Sequence, residues 1–307
     1  MIRTITLNPS IDRNIHVRSL LMDDTNRAEK ISDTAGGKGL NVSKVVRELG
    51  GQTKAYVLLG GHLGEWFADL AKPLDIPLVL TPIRGATRLN IVLTDQKTQT
   101  RISASGPNVA APELKKFTQQ VCKVASTPGY WALGGSLPPG IKTSFCGQLI
   151  QSLQKRGSFC VLDMDNEALK VGIKAKPFMI KPNEFEVQRL MGYSMKSIGD
   201  YLKAAKALNQ KGIRLVVVSL AKRGALFVTR EKAIHVLAPK VTVRSKIGAG
   251  DSLIGGFLLG LERKMPFEQA ARLGVAASVS AVMREAPRLC LRSDIPKLLS
   301  RITIHNL

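Results

Sequence analysis

The sequence predicts an α/β fold, with a three-layer α/β/α core around a mainly parallel sheet and a small β-sheet lid. Two observations predict it. Short apolar runs rich in β-branched residues alternate with amphipathic segments that end in glycine, as in βαβ units around a buried parallel sheet. Two stretches interrupt this alternation. There, polar and apolar residues alternate without a helix between them, a pattern typical of strands in a separate small sheet.

The elements can be assigned in chain order. Strands are predicted at RTITL, AYVLL, YWALGG, FCVLDM, FMIKP, RLVVVSL and GALFVT. Helices are predicted at GLNVSKVVRELGG, SFCGQLIQSLQKRG and GDYLKAAKALNQKG. Residues of about 11–35 and 86–105 are predicted to form an antiparallel flap at the sheet's edge, which covers a substrate, pairs with another flap in a dimer, or does both. Residues 1–307 are therefore expected to form a single domain with a lid.

The composition is ordinary for a globular protein except in its charge. Of 307 residues, 44% are hydrophobic, and the four cysteines and four histidines are too scattered for a disulfide framework or a zinc site. The histidines are expected to be packing or surface residues. No apolar run reaches the roughly 18 residues that span a bilayer and no signal peptide is visible, so we expect a cytoplasmic protein without a membrane partner.

The net charge of +22 raises the question of nucleic acid as a partner. Lysine and arginine are spread along the whole chain, no recognition-helix pattern is present, and only 5% of residues are aromatic. A broadly basic surface would instead attract polyanionic small molecules such as nucleotides and sugar phosphates. We therefore expect no nucleic-acid partner.

One candidate site is the segment KIGAGDSLIGGFLLGL, residues 246–261. Gly248, Ala249 and Gly250 allow close approach of a ligand to the backbone, and the apolar residues that follow have helical spacing. A helix start presents unpaired N–H groups and a positive dipole end, which suit an anion. From these residues alone, Asp251 is either a helix cap or a catalytic carboxylate.

A second glycine turn, in AGGKGLNVSKVVRELG, also opens an amphipathic helix. Its Lys38 and Asn41 supply a positive charge and an amide next to Gly36 and Gly37. Asp12, in TLNPSID, can accept hydrogen bonds from sugar hydroxyls. An ordinary tight turn would explain the glycines equally well, but two such helix starts in one chain favour a ligand site between them.

The chain resembles the ribokinase-like (PfkB-type) carbohydrate kinases over essentially its whole length. The residues that carry the resemblance, all in the family's order, are TLNPSID, AGGKGLNVSKV, TRLNIVL, GGSLPPG, IKPNEFE, VVVSLAKRGALFV and KIGAGDSLIGGF. Within the family it is similar to the phosphosugar branch, which contains 1-phosphofructokinase, tagatose-6-phosphate kinase and the minor 6-phosphofructokinase. The resemblance implies a ribokinase-like fold and an ATP-dependent and Mg²⁺-dependent kinase.

The resemblance also implies roles for residues on the sugar side of the site. Asp251 would be the general base for a sugar hydroxyl, and the N–H groups of Gly248, Ala249 and Gly250 would stabilise the transferred phosphoryl group. Arg88 and Ser136 would bind the phosphate already on the sugar. The positions that match the family's sugar-binding residues are Asp12, Gly36, Gly37, Lys38 and Asn41.

On the nucleotide side, the resemblance implies that Lys181 and Asn183 lie near ATP. Asn183 with Glu186 would organise Mg²⁺, partly through water, whereas from the sequence alone Glu186 is also explained as a charge in the first turn of a helix. A segment along the ATP phosphates and ribose would consist of Ser219, Leu220, Ala221, Lys222, Arg223 and Gly224.

Three departures from the family's pattern leave alternatives open. Ala221 replaces a usual glycine, DMDNEAL replaces a usual DxSGEAL, and Arg284 and Ala286 replace Asn and Gly. The substrate is predicted to be fructose 6-phosphate or tagatose 6-phosphate, phosphorylated at O1. The alternatives are fructose 1-phosphate, phosphorylated at O6, and a nucleic-acid-binding or regulatory protein on a degenerate kinase fold.

A K⁺ site is a further expectation from the resemblance. The family's cation loop maps onto Ser245, Ile247, Ala281, Arg284, Ala286 and Arg288. Because Lys246 and Arg284 would place two positive charges close to this loop, we expect weak or absent activation by K⁺.

Overall fold

The computed structural model describes residues 1–125 and 128–307, and their strands form two sheets. The larger sheet has ten strands in the order β14-β13-β12-β11-β10-β9-β8-β1-β4-β5 and the smaller has four in the order β3-β2-β6-β7. In chain order the strands are β1 Ile2–Thr6, β2 Ser10–Val17, β3 Ala28–Gly36, β4 Thr53–Leu59, β5 Leu78–Pro82, β6 Arg88–Thr94, β7 Gln99–Ile102, β8 Tyr130–Gly134, β9 Phe159–Asp163, β10 Met179–Ile180, β11 Leu215–Ser219, β12 Ala225–Val228, β13 Ala233–Leu237 and β14 Thr303–Asn306.

Helices connect most of these strands. They are α1 Lys38–Glu48, α2 Gly61–Ala71, α3 Ala111–Val124, α4 Ser144–Gln154, α5 Asn166–Gly172, α6 Glu184–Met191, α7 Ile198–Gln210, α8 Ala249–Glu262, α9 Phe267–Val282 and α10 Ile295–Leu299. Short 3₁₀ turns occur at Lys72–Leu74, Ile173–Ala175, Ala221–Arg223 and Arg292–Asp294. Among the residues described, no helix is both long enough and apolar enough to cross a membrane.

The predicted mainly parallel sheet is confirmed. Neighbouring strands from β5 to β11 are parallel, whereas β12, β13 and β14 are added antiparallel at one side. The apolar strand β1 is buried along its whole length, as expected for a strand covered by helices on both faces. FMIKP contributes only the two residues of β10, and the strands β5, β13 and β14 of this sheet had not been predicted.

Two apolar cores lie on opposite faces of this sheet. On one face, Trp131 and Phe117 belong to a cluster that includes buried residues of α4 and α7. On the other face, the tilted rings of Phe227 and Phe257 are in contact, with centroids 5.2 Å apart, in a cluster formed with α1, α8 and α9. Alternate side chains of each strand point to opposite faces, which is why one sheet supports both cores.

The small sheet differs from the prediction in the direction of one strand pair. The pairs β2–β3 and β6–β7 are antiparallel as expected, but β2 and β6 run parallel, with Ser10 opposite Arg88. The cause is the main sheet: β2 follows β1 and β6 follows β5, and the parallel strands β1 and β5 end at the same edge. Ile11 and Leu89 pack this sheet against Phe67 of α2, which fixes it beside that edge.

Candidate active site

A cleft of about 2110 Å³ runs along the edge where the parallel strands end. Its lining includes residues at or just after the carboxyl ends of five strands: Asn8, Ser136, Asp163, Lys181 and Ser219. This edge is where ligands bind in open α/β sheets. The volume exceeds the roughly 300–1,000 Å³ of a pocket for one small ligand, so the cleft has room for two ligands at once.

The cleft brings together nearly all residues that the sequence predicted for the site. These lining residues are Asp12, Gly37, Lys38, Asn41, Arg88, Ser136, Lys181, Asn183, Glu186, Ser219, Leu220, Ala221, Lys222, Arg223, Gly224, Gly248, Ala249, Gly250 and Asp251. Gly36 does not line the cleft. A Cβ at Gly36 would lie 2.3 Å from Oδ2 of Asp12, so this glycine gives the Asp12 carboxylate room against the backbone of β3.

Asp251 lies in the first turn of α8 and is 6% exposed. The helix begins after Gly248, whose φ of 77° is in the left-handed region, and its first N–H groups have no acceptor within the helix. Asn41 of α1 donates from Nδ2 to Oδ2 of Asp251 at 2.8 Å. Asn41 therefore orients the Asp251 carboxylate at a positively polarised helix start.

The surroundings of Asp251 tune its protonation. Burial, with a smaller effect from the negative charge of Asp163, raises the pKa of Asp251 to about 6, and the charge of Lys38 and the hydrogen bond from Asn41 limit the rise. Such a carboxylate is mostly ionised at neutral pH and is a better proton acceptor than an exposed aspartate. The arrangement therefore has the properties of a general base.

Asp163, which the sequence analysis did not single out, connects two predicted lysines. Nζ of Lys38 and Nζ of Lys181 each lie 3.2 Å from one of its carboxylate oxygens. Although burial favours the neutral acid, Lys181 and Lys38 together hold the pKa of Asp163 below its usual range. A Cβ at Gly250 would lie 2.9 Å from the Lys181 Nζ, so this amine also borders the start of α8.

On the side of the small sheet, Asp12 is held by three neighbours. Ser10 Oγ and Asn90 Nδ2 each donate to Oδ1 of Asp12 at 2.8 Å, and a nitrogen of Arg101 lies 3.6 Å from the same oxygen. One carboxylate oxygen is thus fixed by the small sheet, and Oδ2 has no hydrogen bond among the described contacts of Asp12. Arg101 was not predicted; its signal in the sequence is a second arginine in the alternating lid segment.

Arg88 connects the small sheet to the main sheet. Its Nη2 donates to the carbonyl of Asn8 at 2.9 Å and its Nη1 to the carbonyl of Ala104 at 2.8 Å. Burial, together with the charge of Arg101, lowers the pKa of Arg88, while Asp12 opposes this. Asn8 in turn donates to Ser136 Oγ at 3.1 Å. A positive, polar end of the cleft therefore lies under the small sheet.

At the other end, Asn183 and Glu186 form a capping box at the start of α6. Asn183 Oδ1 accepts from the N–H groups of Phe185 and Glu186 at 2.9 Å, and Glu186 Oε2 accepts from the Asn183 N–H at 2.7 Å. The helix-start explanation of Glu186 is therefore realised in the structure. The capping box uses only Oε2, so Oε1 of Glu186, which is 7% exposed, is left for another partner.

The turn between β11 and β12 contains Ser219–Gly224 and closes this end of the cleft. Ala221, which replaces the family's usual glycine, has a left-handed φ of 49°. The side chain of Arg223 forms an ion pair with Glu184 and lies with its guanidinium carbon 5.4 Å from the centre of the Tyr201 ring. The side chain of Arg223 is therefore held by contacts within the protein at this end of the cleft.

The predicted cation loop is only partly as expected. Arg284 forms an ion pair with Asp294, with Nη2 at 2.7 Å from Oδ1. Asp294 therefore compensates the charge of Arg284, one of the two positive charges on which the expectation of weak K⁺ activation depends. Lys246 is exposed at the mouth of the cleft, and Ser245 is buried with its Oγ accepting from the N–H of Ile247 at 3.2 Å.

Comparison with known proteins gives the family of this chain. Residues 6–294 match the pfkB family of carbohydrate kinases. The chain is 30% identical to the 1-phosphofructokinase of Bacillus subtilis strain 168, covering 100% of both sequences. It is 31% identical to the tagatose-6-phosphate kinase of a Staphylococcus epidermidis strain, covering 93% of each. The structure of phosphofructokinase-2 from Escherichia coli in complex with potassium superposes with a TM-score of 0.93, at 32% identity, over 97% of this chain and 98% of that one.

The fold and the cleft therefore define a phosphotransferase that has an alcohol group as acceptor. The chain belongs to the pfkB family of carbohydrate kinases. The predicted family and the ribokinase-like fold are confirmed.

Proposed function

We propose that this protein transfers the γ-phosphoryl group of ATP to a ketohexose phosphate, forming a bisphosphate. The acceptor is O1 of fructose 6-phosphate or tagatose 6-phosphate. The observation that carries the proposal is the position of Asp251, a buried carboxylate at a helix start between an arginine-rich end and a nucleotide end of one cleft. The names of the relatives, which are sugar-phosphate kinases, support this substrate class.

In this mechanism Asp251 accepts the proton of the attacking sugar hydroxyl as its oxygen bonds to phosphorus. Asn41 holds the carboxylate in place, and its amide hydrogen bond to Asp251 stabilises the ionised form that acts as a base. The N–H groups at Gly248, Ala249 and Gly250 stabilise the charge on the transferred group. Lys181, close to Gly250 and paired with Asp163, adds a positive charge at the same point.

The nucleotide end of the cleft fits ATP with Mg²⁺. Asn183 would act on the metal indirectly, because its amide oxygen already accepts two N–H groups and it holds Glu186 in position. Within the described residues, no cluster of three His, Cys, Asp or Glu residues could hold a metal. Glu186 would be the protein's contributor to an ion that keeps several of its waters. When bound, Mg²⁺ neutralises phosphate charge during transfer.

The lid end fits the substrate's own phosphate. Arg88 and Arg101 supply positive charge, Ser136 supplies a hydroxyl, and Asp12 accepts hydrogen bonds from sugar hydroxyls. The alternative acceptor is O6 of fructose 1-phosphate, because a furanose with a phosphate at either end can present a primary hydroxyl to Asp251. The relatives include enzymes named for each of these substrates, so both remain within the proposal.

We also propose that residues 1–307 act as a single kinase domain whose small sheet is a lid and a dimer contact. The edge strands β3 and β7 carry Ile31 and Ile102, which are 56% and 60% exposed. The strand registers place both on the sheet face opposite Asp12, so a second copy could cover them without blocking the cleft. Ile31→Glu should shift the sedimentation of the protein from dimer to monomer; an unchanged mass would contradict this contact.

The substrate is tested by measuring kcat/KM for ATP-dependent phosphorylation of fructose 6-phosphate, tagatose 6-phosphate, fructose 1-phosphate and unphosphorylated fructose. We expect the largest value with one of the first two, and fructose weaker by at least about 100-fold, because two or more charge-assisted bonds to phosphate are lost. A preference for fructose 1-phosphate would select the alternative. A preference for fructose itself would contradict the proposed role of the lid arginines.

A further inference from the structure

His235 does not line the cleft, yet it contacts the turn at the nucleotide end. It is on β13 and is 7% exposed. Its Nε2 lies 2.7 Å from the carbonyl oxygen of Arg223. Because a carbonyl oxygen only accepts hydrogen bonds, Nε2 carries the hydrogen and donates it. His235 therefore holds the backbone of the turn from the neighbouring strand.

The turn has a conformation that requires such support. Ala221 has a left-handed backbone, which is unfavourable for a residue with a Cβ. Gly224 has a φ of 84°, and a Cβ there would lie 2.0 Å from the carbonyl oxygen of Val236 on β13. The turn is thus pressed against the same strand that carries His235. Contacts with β13 therefore fix the position of the turn's backbone beside the cleft.

A second contact fixes the turn from the other side. The guanidinium of Arg223 pairs with Glu184, the first residue of α6, and lies over the buried ring of Tyr201. Glu184 directly follows Asn183, which caps the same helix. Arg223 therefore connects the two segments at the nucleotide end, with its carbonyl held by His235 and its side chain held by Glu184.

We propose that His235 is a positioning residue for the nucleotide: through Arg223 it fixes the turn Ser219–Gly224, and the Arg223–Glu184 pair fixes that turn against the start of α6. A turn already in its bound shape loses less conformational entropy when a nucleotide binds. The effect should be confined to the nucleotide, because the sugar-phosphate end is built from the small sheet. The inference rests on the proposed ATP site.

The test compares His235→Phe with His235→Gln and His305→Phe. Phenylalanine keeps a ring but removes the donor, whereas glutamine restores an N–H donor. His305 lies directly opposite His235 on β14, is exposed, and is the matched control. The measurements are the Kd of Mg·ATP by calorimetry, the KM values for ATP and for the sugar phosphate, and Tm.

We expect His235→Phe to raise the Kd and KM for ATP roughly tenfold, equivalent to about 1.4 kcal/mol, with the KM for the sugar phosphate within about twofold of wild type. His235→Gln should recover much of this loss, and His305→Phe should bind ATP as wild type does. If His235→Phe does not fold, Glu184→Gln, which removes only the ion pair of the second contact, should still weaken ATP binding by about threefold without changing the KM for the sugar phosphate.

Unchanged ATP affinity in His235→Phe would overturn the inference and leave the kinase proposal intact. If that variant does not fold, unchanged ATP affinity in Glu184→Gln would have the same meaning. Equal losses for ATP and sugar phosphate would also overturn it, because they would indicate a general structural role. Wild-type protein that binds no ATP would contradict the proposed function itself, which separates the two failures.

Discussion

Removing the amide of Asn41 should move the acidic limb of the pH–rate profile. Asn41 donates to the charged form of Asp251 at 2.8 Å, so Asn41→Ala destabilises that form and makes the carboxyl harder to ionise. A hydrogen bond to a charged group contributes about 1.5–3 kcal/mol, and about 1.36 kcal/mol corresponds to one pH unit. The midpoint of the limb should therefore rise by about one to two pH units.

The direction of the shift in the acidic limb follows from the role of a base, which works only when it is ionised. With the pKa of Asp251 raised to about 6, wild-type kcat/KM should fall as pH drops through that value and should be nearly constant above neutrality. The Asn41→Ala variant should already be losing activity at neutral pH. Activity that is equally pH-dependent in both proteins would refute the assignment.

The assay is kcat/KM for the sugar phosphate between pH 5 and 9 at constant ionic strength. The phosphate group of the substrate also titrates near pH 6, and this would add to the acidic limb. Its contribution is the same for both proteins, so only the difference between the two midpoints is interpreted. Saturating ATP keeps the nucleotide step constant.

Three further predictions concern the two ends of the cleft and the cation loop. Arg88→Ala should raise the KM for the sugar phosphate by about 10-fold to 100-fold, as expected for lost charge-assisted bonds, and the KM for ATP by less than about twofold; equal increases would contradict a role at the lid end. Gly224→Ala should lower the free energy of unfolding in urea by at least about 2 kcal/mol more than Gly192→Ala. Both glycines have a positive φ, but only at Gly224 would the added Cβ collide with a backbone atom. Equal losses of stability in the two variants would refute this prediction. Replacing K⁺ with tetramethylammonium should lower the initial rate by less than tenfold, an expectation that now depends on Lys246 alone; a larger loss would contradict it.

Local sequence patterns predicted the elements of this fold that are determined by residues close together in the chain. Apolar runs predicted the buried parallel strands, and glycine turns followed by apolar residues at helical spacing predicted the starts of α1 and α8. The directions of β2 and β6 could not be predicted from their own sequences, because they depend on where β1 and β5 end. The short strand β14 has mostly exposed residues and therefore no apolar pattern.

The candidate site was predictable where its residues belong to motifs and not where they depend on distant contacts. Asn41 and Asp251 are 210 residues apart, so their hydrogen bond has no signal in either segment. Asp163 ends an apolar strand and could have been noticed, but its pairing with Lys38 appears only in the fold. His235 was expected to be a packing or surface residue because no other histidine or cysteine lies at metal-ligand spacing from it. Its contact with the carbonyl of Arg223 is encoded by no residue pattern.

The most direct test of the account is the kcat of Asp251→Asn, measured on folded protein with saturating ATP and sugar phosphate. Asparagine keeps the size and polarity of the side chain but cannot accept a proton as a carboxylate does. We predict that kcat falls by about 10² to 10⁴, the usual contribution of general-base catalysis, while substrate binding and Tm remain close to wild type. A kcat within about threefold of wild type would contradict the claim that Asp251 is the base of this kinase.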